Sequence, residues 1–334
     1  MTRFSLSRIL NAQVLALLGV LLLNWLLFPG FFKIAWQDGR FFGSVIDVLN
    51  RGAPVAILAI GMTAVIATKG VDLSVGAIMA MTGAVAATLV VAGYPMPIAV
   101  AAALGVGLLC GLWNGFLVAV LDIQPIVATL VLMVAGRGIA QLITSGSIVT
   151  FSDPALIFVG TGSFLGMPMA AVIAFVLLVV VTLLVRKTAI GLFIEAVGVN
   201  RSAATLAGIR SRMLLILVYA LSGICAAIAG IIVSADIRGA DANNSGLWLE
   251  LDAILAVVIG GTSLLGGRFS IPMSVIGAII IQAMNTGILV SGFPPEFNLT
   301  VKAGMIFLIL LIQSPYAANM AGWYRAKTTK GIAK

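Results

Sequence analysis

PIAVAAALGVGLLCGLWNGFLVAVL, residues 97–121, runs from Pro97 to Leu121 without a charged side chain. A helix rises about 1.5 Å per residue, and some 20 mostly apolar residues cross a hydrocarbon layer of roughly 30 Å, so this stretch is long enough to span a membrane. Outward from it, apolar runs ended by Gly, Pro or charge recur at 12–28, 52–68, 73–92, 125–144, 168–185, 213–235, 251–265, 271–290 and 299–313. With 97–121 they make ten expected spans. Hydrophobic residues are 61% of the chain and charged ones only 9%, an excess that excludes an ordinary soluble domain. The fold expected is all-α and polytopic: one integral membrane domain over 1–334, with the bundle at 12–313 and a basic tail at 314–334.

Several runs are short or Gly-rich, which suits helices broken around a pathway better than simple anchors. The first run follows Arg3 and Arg8 and has no small-residue cleavage site after it, so it reads as a retained anchor. Of 19 Lys and Arg, the ten-span arrangement places Lys33, Arg40, Arg51, Arg238 and Lys302 outside, leaves Arg137 within a span, and puts the rest on the inner side. That bias predicts both termini in the cytoplasm. The net charge of +8 is then topological, because no loop offers a basic surface with interleaved aromatics for nucleic acid. The basic tail is free to touch anionic lipid head groups.

Function classes narrow by inventory. Histidine is absent, and Cys110 and Cys225 both lie inside apolar runs, so neither a disulfide framework nor a metal site is spelled out and no cofactor is called for. An enzyme would have to rest on carboxylates, serines or thiolates. The glycines of LAVVIGGTSLLGGRF, with Gly260, Gly261, Gly266 and Gly267, are followed by no Lys-Ser or Lys-Thr, and no phosphate-binding G-x-x-x-x-G-K occurs. Any nucleotide hydrolysis belongs to another chain. An ion-coupled transporter would need acids within its spans, and beyond Asp72 near a span end there are few.

Four polar groupings stand out. In IATKGVDLSVG, residues 66–76, Asp72 and Ser74 sit between Gly70 and Gly76, where Asp72 either caps the following helix or faces a pathway. In GLWNG, Asn114 lies within an apolar run and bonds either a neighbouring helix or a substrate. Arg137 and Gln141 are one turn apart, on one face, and Arg137 must snorkel, pair with an acid or face a wet cavity. The stretch 236–253 holds Asp236, Arg238, Asp241, Asn243, Asn244, Trp248, Glu250 and Asp252. Amides, carboxylates and an aromatic ring suit a sugar; they suit equally a soluble partner or a wet loop.

RKTAIGLFIEAVGVNRSAATLAGIRSR, residues 186–212, is too polar to span and too regular in its apolar residues to be a plain linker. Asn200 or Ser202 can cap a short helix through Ala203, Ala204 and Leu206, and Gly208 can end it. Such a helix lies in the membrane interface, braces neighbouring spans, or docks a partner.

IATKGVDLSVG, EAVGVNRSAATLAGI and LDAILAVVIGGTSLLGG, three motifs in order, resemble the signature regions of permeases from bacterial ribose-type ABC sugar importers. The resemblance covers roughly 12–313. QDGRFFGSVIDVLNR, IQPIVATLVLMVAGRGIAQLIT, IRGADANNSGLWLELDAILAVVIGG and MNTGILVSGFPPE are similar, more narrowly, to permeases of galactofuranose importers; branched-chain amino-acid permeases are an alternative within the transport class. One departure is Lys69, where ribose-type relatives typically carry Gly. The resemblance implies an inner-membrane complex of two permease chains, unlike one another in the galactofuranose case, with two ATPase subunits below and a periplasmic sugar-binding protein above. It implies ATPase coupling through 186–212, with Glu195, Gly198, Asn200, Ala203, Ala204 and Gly208 carrying it; the small face of Ala203, Ala204 and Ala207 would receive the partner. The expected substrate pathway is Asp72, Ser74, Asn114, Arg137, Gln141 and Asn285, and the expected periplasmic mouth is Asp241, Asn243, Asn244 and Trp248.

Overall fold

The computed structural model describes residues 12–27, 31–37, 39–292, 294, 297, 299–304 and 307. The expected tail at 314–334 and most of the run at 299–313 lie outside the described residues. The chain divides into two units, 1–286 and 287–334, and the contacts below lie in the first.

The elements follow the apolar runs, with proline setting many of the starts. α1 (Ala12–Leu27) precedes a hairpin of β1 (Ala35–Gln37) and β2 (Arg40–Phe42). α2 (Ser44–Ala67) begins eight residues before the apolar run does, because Asp47, Asn50 and Arg51 occupy its first turns without ending it. α3 (Val75–Val91) leads to α4 (Met96–Ala119) and α5 (Pro125–Ile143), and both of these carry Pro in the first turn, where its missing N–H is no loss. β3 (Val149–Thr150) and α6 (Pro154–Thr161) follow; the Asp153 carboxylate caps α6 by accepting from Leu156 N at 2.8 Å. β4 (Ser163–Phe164) and β5 (Met167–Pro168) form a second hairpin before α7 (Met169–Lys187). α8 (Ile190–Val199), α9 (Arg201–Leu206) and α10 (Ser211–Asp236) come next, and then β6 (Gly239–Ala240), which pairs with β3. α11 (Leu249–Ile259) and α12 (Ile271–Val290) follow, the first unit ending within α12 at Thr286.

Among the described residues six helices, α2, α4, α5, α7, α10 and α12, are long and apolar enough to cross a membrane. The others differ in kind. The run at 251–265 is helical only to Ile259, since Gly260 closes α11 and Gly261, with φ 86°, turns the chain. Eleven residues reach about 16 Å, half a hydrocarbon layer. The first turn of α3 meets the loop before α11: a Cβ on Gly76 would lie 2.5 Å from Glu250 Oε2, and one on Gly246 would lie 3.0 Å from Gly76 Cα. Two short helices thus begin side by side within the bundle, the broken-helix arrangement that the Gly-rich runs suggested.

α2 and α10 are mostly buried, whereas α4, α5 and α7 each expose an apolar face. α10 packs along α4, α2 and α3. Its seam with α4 is made by Gly107, Gly111 and Gly115, four residues apart on one face. Added Cβ atoms there would come 2.6 Å from Gly223 O, 2.8 Å from Ala220 Cα and 2.7 Å from Ile216 Cα. Close backbone contact of this kind holds helices together where lipid offers no hydrophobic drive between them.

One end of the bundle collects α8, α9 and the C-terminal ends of α2, α4 and α11. The other carries the hairpins and the β3–β6 pair, with Phe41 N donating to Gly166 O at 2.9 Å to join the two hairpins.

Candidate functional site

Three polar groupings can be built from the residues upward. The first lies inside the bundle. After α2 the chain turns through Lys69, and at the start of α3 the Asp72 carboxylate accepts from Ser74 N at 3.0 Å and Ser74 Oγ at 2.6 Å. Its other oxygen accepts from Ser222 Oγ of α10 at 2.8 Å, and Asn114 Nδ2 of α4 donates to Ser74 Oγ at 2.8 Å. Thr129 of α5 receives Leu73 N at 3.2 Å. All of these polar side chains are buried, so four helices meet at one desolvated knot. Of the alternatives left open by sequence, Asp72 does not cap the first turn of α3. It accepts from the N–H of Ser74, the N-cap residue itself, and Asn114 bonds a neighbouring segment. Two buried polar atoms of this layer, Asn114 Oδ1 and the Tyr219 hydroxyl, have no hydrogen-bond partner among the described residues.

The second grouping joins α5 to the loop before α11. Arg137 Nη1 donates to Ala242 O at 3.1 Å and Ser245 O at 2.6 Å, and Gln141 Nε2 donates to Asn243 Oδ1 at 2.7 Å. The expected pathway pair and the expected mouth therefore form one clasp. Asp241 organises the loop by accepting from Asn243 N, Asn244 N and Asn244 Nδ2 at 3.0, 3.1 and 2.8 Å. The Asn244 amide holds the Asp241 carboxyl below its ordinary range, against a smaller upward push from burial. Trp248, about half exposed, takes a left-handed φ of 65° at the α11 boundary. Beside it, Glu250 is buried and its Oε2 has no hydrogen-bond partner among the described residues. Asn285 is half-buried on α12, and among the described residues no hydrogen bond joins it to either grouping.

The third grouping is an elbow. The stretch 195–208 is two helices, and Asn200 closes α8 and caps α9, its Oδ1 accepting from Ala203 N at 3.0 Å; Gly208 turns away at φ 90°. Gly198 is buried against the end of α2, where a Cβ would lie 3.1 Å from Ala67 C and 2.7 Å from Gly267 N. Ala204 is only 5% exposed and packs with Leu117, Val118 and Leu215, so it faces its own chain and cannot belong to the small face offered to a partner. The outward face is Ala203, Ala207 and above all Leu206, 90% exposed. Leu206 borders a groove of about 930 Å³ with Asp122, Thr205, Ile209 and Met213. Glu195 lines a separate cavity of about 400 Å³ with Arg186, Thr188 and Phe269. Arg201 fixes the elbow to α4, its Nη1 pairing with Asp122 Oδ1 at 2.8 Å and its Nη2 donating to Ala119 O at 3.0 Å.

Residues 44–310 match the family model described as branched-chain amino acid transport system / permease component. The chain belongs to this permease family. It is 64% identical over 302 residues to the galactofuranose transporter permease protein YtfT of Escherichia coli K12, covering 90% of this chain and 89% of that one. It is 40% identical to the fructose import permease protein FruF of Bifidobacterium longum, over 98% and 94% of the two chains. It is 38% identical to the ribose import permease protein RbsC of Escherichia coli K12, over 90% and 92%. No solved structure matches the chain.

In the permease, sequence reading missed Ser222 and Arg201. Ser222 lies 150 residues from Asp72, and no local spacing announces the bond. Arg201 carries a weak local signal, being a cation directly after a capping Asn, but its target at the end of α4 is 82 residues away.

Proposed function

We propose that this permease forms the membrane path of an ABC importer for galactofuranose in the bacterial inner membrane, with both termini cytoplasmic. The single observation that carries the substrate is 64% identity, over 90% of the chain, to a galactofuranose transporter permease. Its working partners are a second and different permease chain, two ATPase subunits and a periplasmic sugar-binding protein, with no ATP hydrolysis by this chain. The α8–α9 elbow faces the ATPase, since it joins an exposed apolar Leu206 to short ties into α2 and α4. The Arg137–Gln141 clasp on the loop 241–248 is the periplasmic gate, through which Asp241, Asn243, Asn244 and Trp248 meet the arriving sugar. Asp72, Ser74, Asn114 and Asn285 lie along the path beneath it. Asn114 Oδ1 and the Tyr219 hydroxyl, without a hydrogen-bond partner among the described residues, supply polar capacity for sugar hydroxyls when the helices part. Affinity belongs mostly to the binding protein, because a tight site in the membrane would trap the sugar during alternating access.

Deleting the gene for this chain is expected to abolish uptake of radiolabelled galactofuranose, and restoring it on a plasmid to recover uptake. A deletion strain that imports galactofuranose normally and fails on ribose would overturn the substrate assignment and leave the transport class standing.

A further inference from the structure

Lys69 has a backbone that its residue type resists. Its φ is 64°, in the left-handed region that glycine adopts freely and a residue with a Cβ does not. The turn itself is built from main-chain bonds, Lys69 N to Ile66 O at 2.9 Å and Gly70 N to Val65 O at 3.0 Å, and asks nothing of the side chain. Backbone demand alone would favour glycine here. The lysine side chain, however, reaches across the fold: Nζ donates to Val199 O at 3.0 Å, over a chain separation of 130 residues. Val199 is the last residue of α8, where carbonyls lack intrahelical partners and the helix carries partial negative charge. An ammonium is well suited to that position.

Its course is shaped by glycines. A Cβ on Gly266 would lie 2.5 Å from Lys69 Cγ and 3.0 Å from Gly198 O, so only a bare backbone lets the lysine stem pass. Beside it, Gly267 N donates to Ala67 O at 2.9 Å. Three segments thus converge: the end of α2, the end of α8, and the turn between α11 and α12.

We propose that Lys69 is a positioning residue, a latch that ties the α8–α9 elbow to the end of α2 so that movement of the elbow is carried into the bundle. This rests on the reading of the elbow as the part that faces the ATPase. It makes Lys69 part of the coupling and not a surface charge left at a turn.

The test uses the assembled complex in vesicles with Lys69→Gly, Lys69→Met and Lys69→Arg. Lys69→Gly relieves the left-handed backbone, so the bundle should remain at least as resistant to thermal unfolding as the parent. Hydrogen exchange at the amides of 200–209 should nevertheless quicken about threefold in the Gly and Met variants, the effect expected for loss of one charge-assisted hydrogen bond at an exposed site where water competes for the donor. Sugar moved per ATP hydrolysed should fall several-fold in both, while Lys69→Arg keeps a donor and stays near the parent in both measurements. Parent-like exchange at 200–209 in the Gly or Met variant would overturn the latch. The exchange measurement needs no sugar, so failure of the parent complex to import galactofuranose would count against the substrate assignment, and the latch would still be decided.

Discussion

Leu206→Asp should abolish sugar uptake and reduce co-purification of the ATPase by at least tenfold while leaving the permease folded. Leu206 is 90% exposed, so the free chain gives up almost no packing when it is replaced, and surface changes of this kind usually shift stability by under about 0.5 kcal/mol. At an interface the balance reverses. An apolar anchor at the centre of a docked surface is worth about 2 kcal/mol or more, and burying an unpaired carboxylate in its place adds several more. The sum exceeds the roughly 1.4 kcal/mol that a tenfold loss of binding requires. Ala204 is a poorer probe. It is 5% exposed and belongs to the buried cluster that includes Leu117 and Leu215, so Ala204→Trp would overpack the permease's own core and lose function for a reason unrelated to docking. Normal ATPase recovery with normal uptake in Leu206→Asp would remove the docking role from α9.

Asp72→Ala should have the largest effect on stability. The carboxylate accepts from Ser74 N, Ser74 Oγ and Ser222 Oγ, and alanine strands all three donors where water does not reach. Each buried group left unsatisfied costs about 1–3 kcal/mol, so a total loss of about 3–5 kcal/mol is expected after some relaxation. Thermal unfolding in detergent should show a markedly lower midpoint and a poor folded yield. Asp72→Asn keeps one acceptor oxygen and should fall between. Asp241→Ala offers the contrast: Asp241 also accepts three hydrogen bonds, but in an exposed loop where water replaces them, so the midpoint should barely move. If Asp72→Ala unfolds at the parental temperature, the knot does not hold the four helices together.

These residues mark where the sequence could and could not be read. Residues 97–121 and 125–144 translate almost directly into α4 and α5 because a long apolar run opened by proline, even one that carries the single charge of Arg137, has few alternatives in a membrane. The start of α2 was hidden because hydropathy stops at Arg51, whereas backbone hydrogen bonding continues back to Ser44 through polar first turns. The run at 251–265 was overextended because Leu264 and Leu265 look apolar; Gly261, Gly266 and Gly267 turn the backbone there. The Asn200 cap and the Gly208 exit were legible, since both are local chemistry. Which face of α9 points inward was not, because six residues are too few to display a period. Distant partners such as Ser222 for Asp72, or Val199 for Lys69, depend on how helices pack and leave no trace in spacing.

ATP-driven import can be followed by reconstituting the permease into vesicles with its partner permease, the ATPase subunits and the sugar-binding protein, and by recording sugar accumulation and ATP hydrolysis together. Galactofuranose should accumulate only when ATP and every subunit are present, and the purified permease alone should hydrolyse no ATP. Accumulation driven by an ion gradient without ATP, or ATP turnover by the permease alone, would contradict a permease powered by separate ATPase subunits.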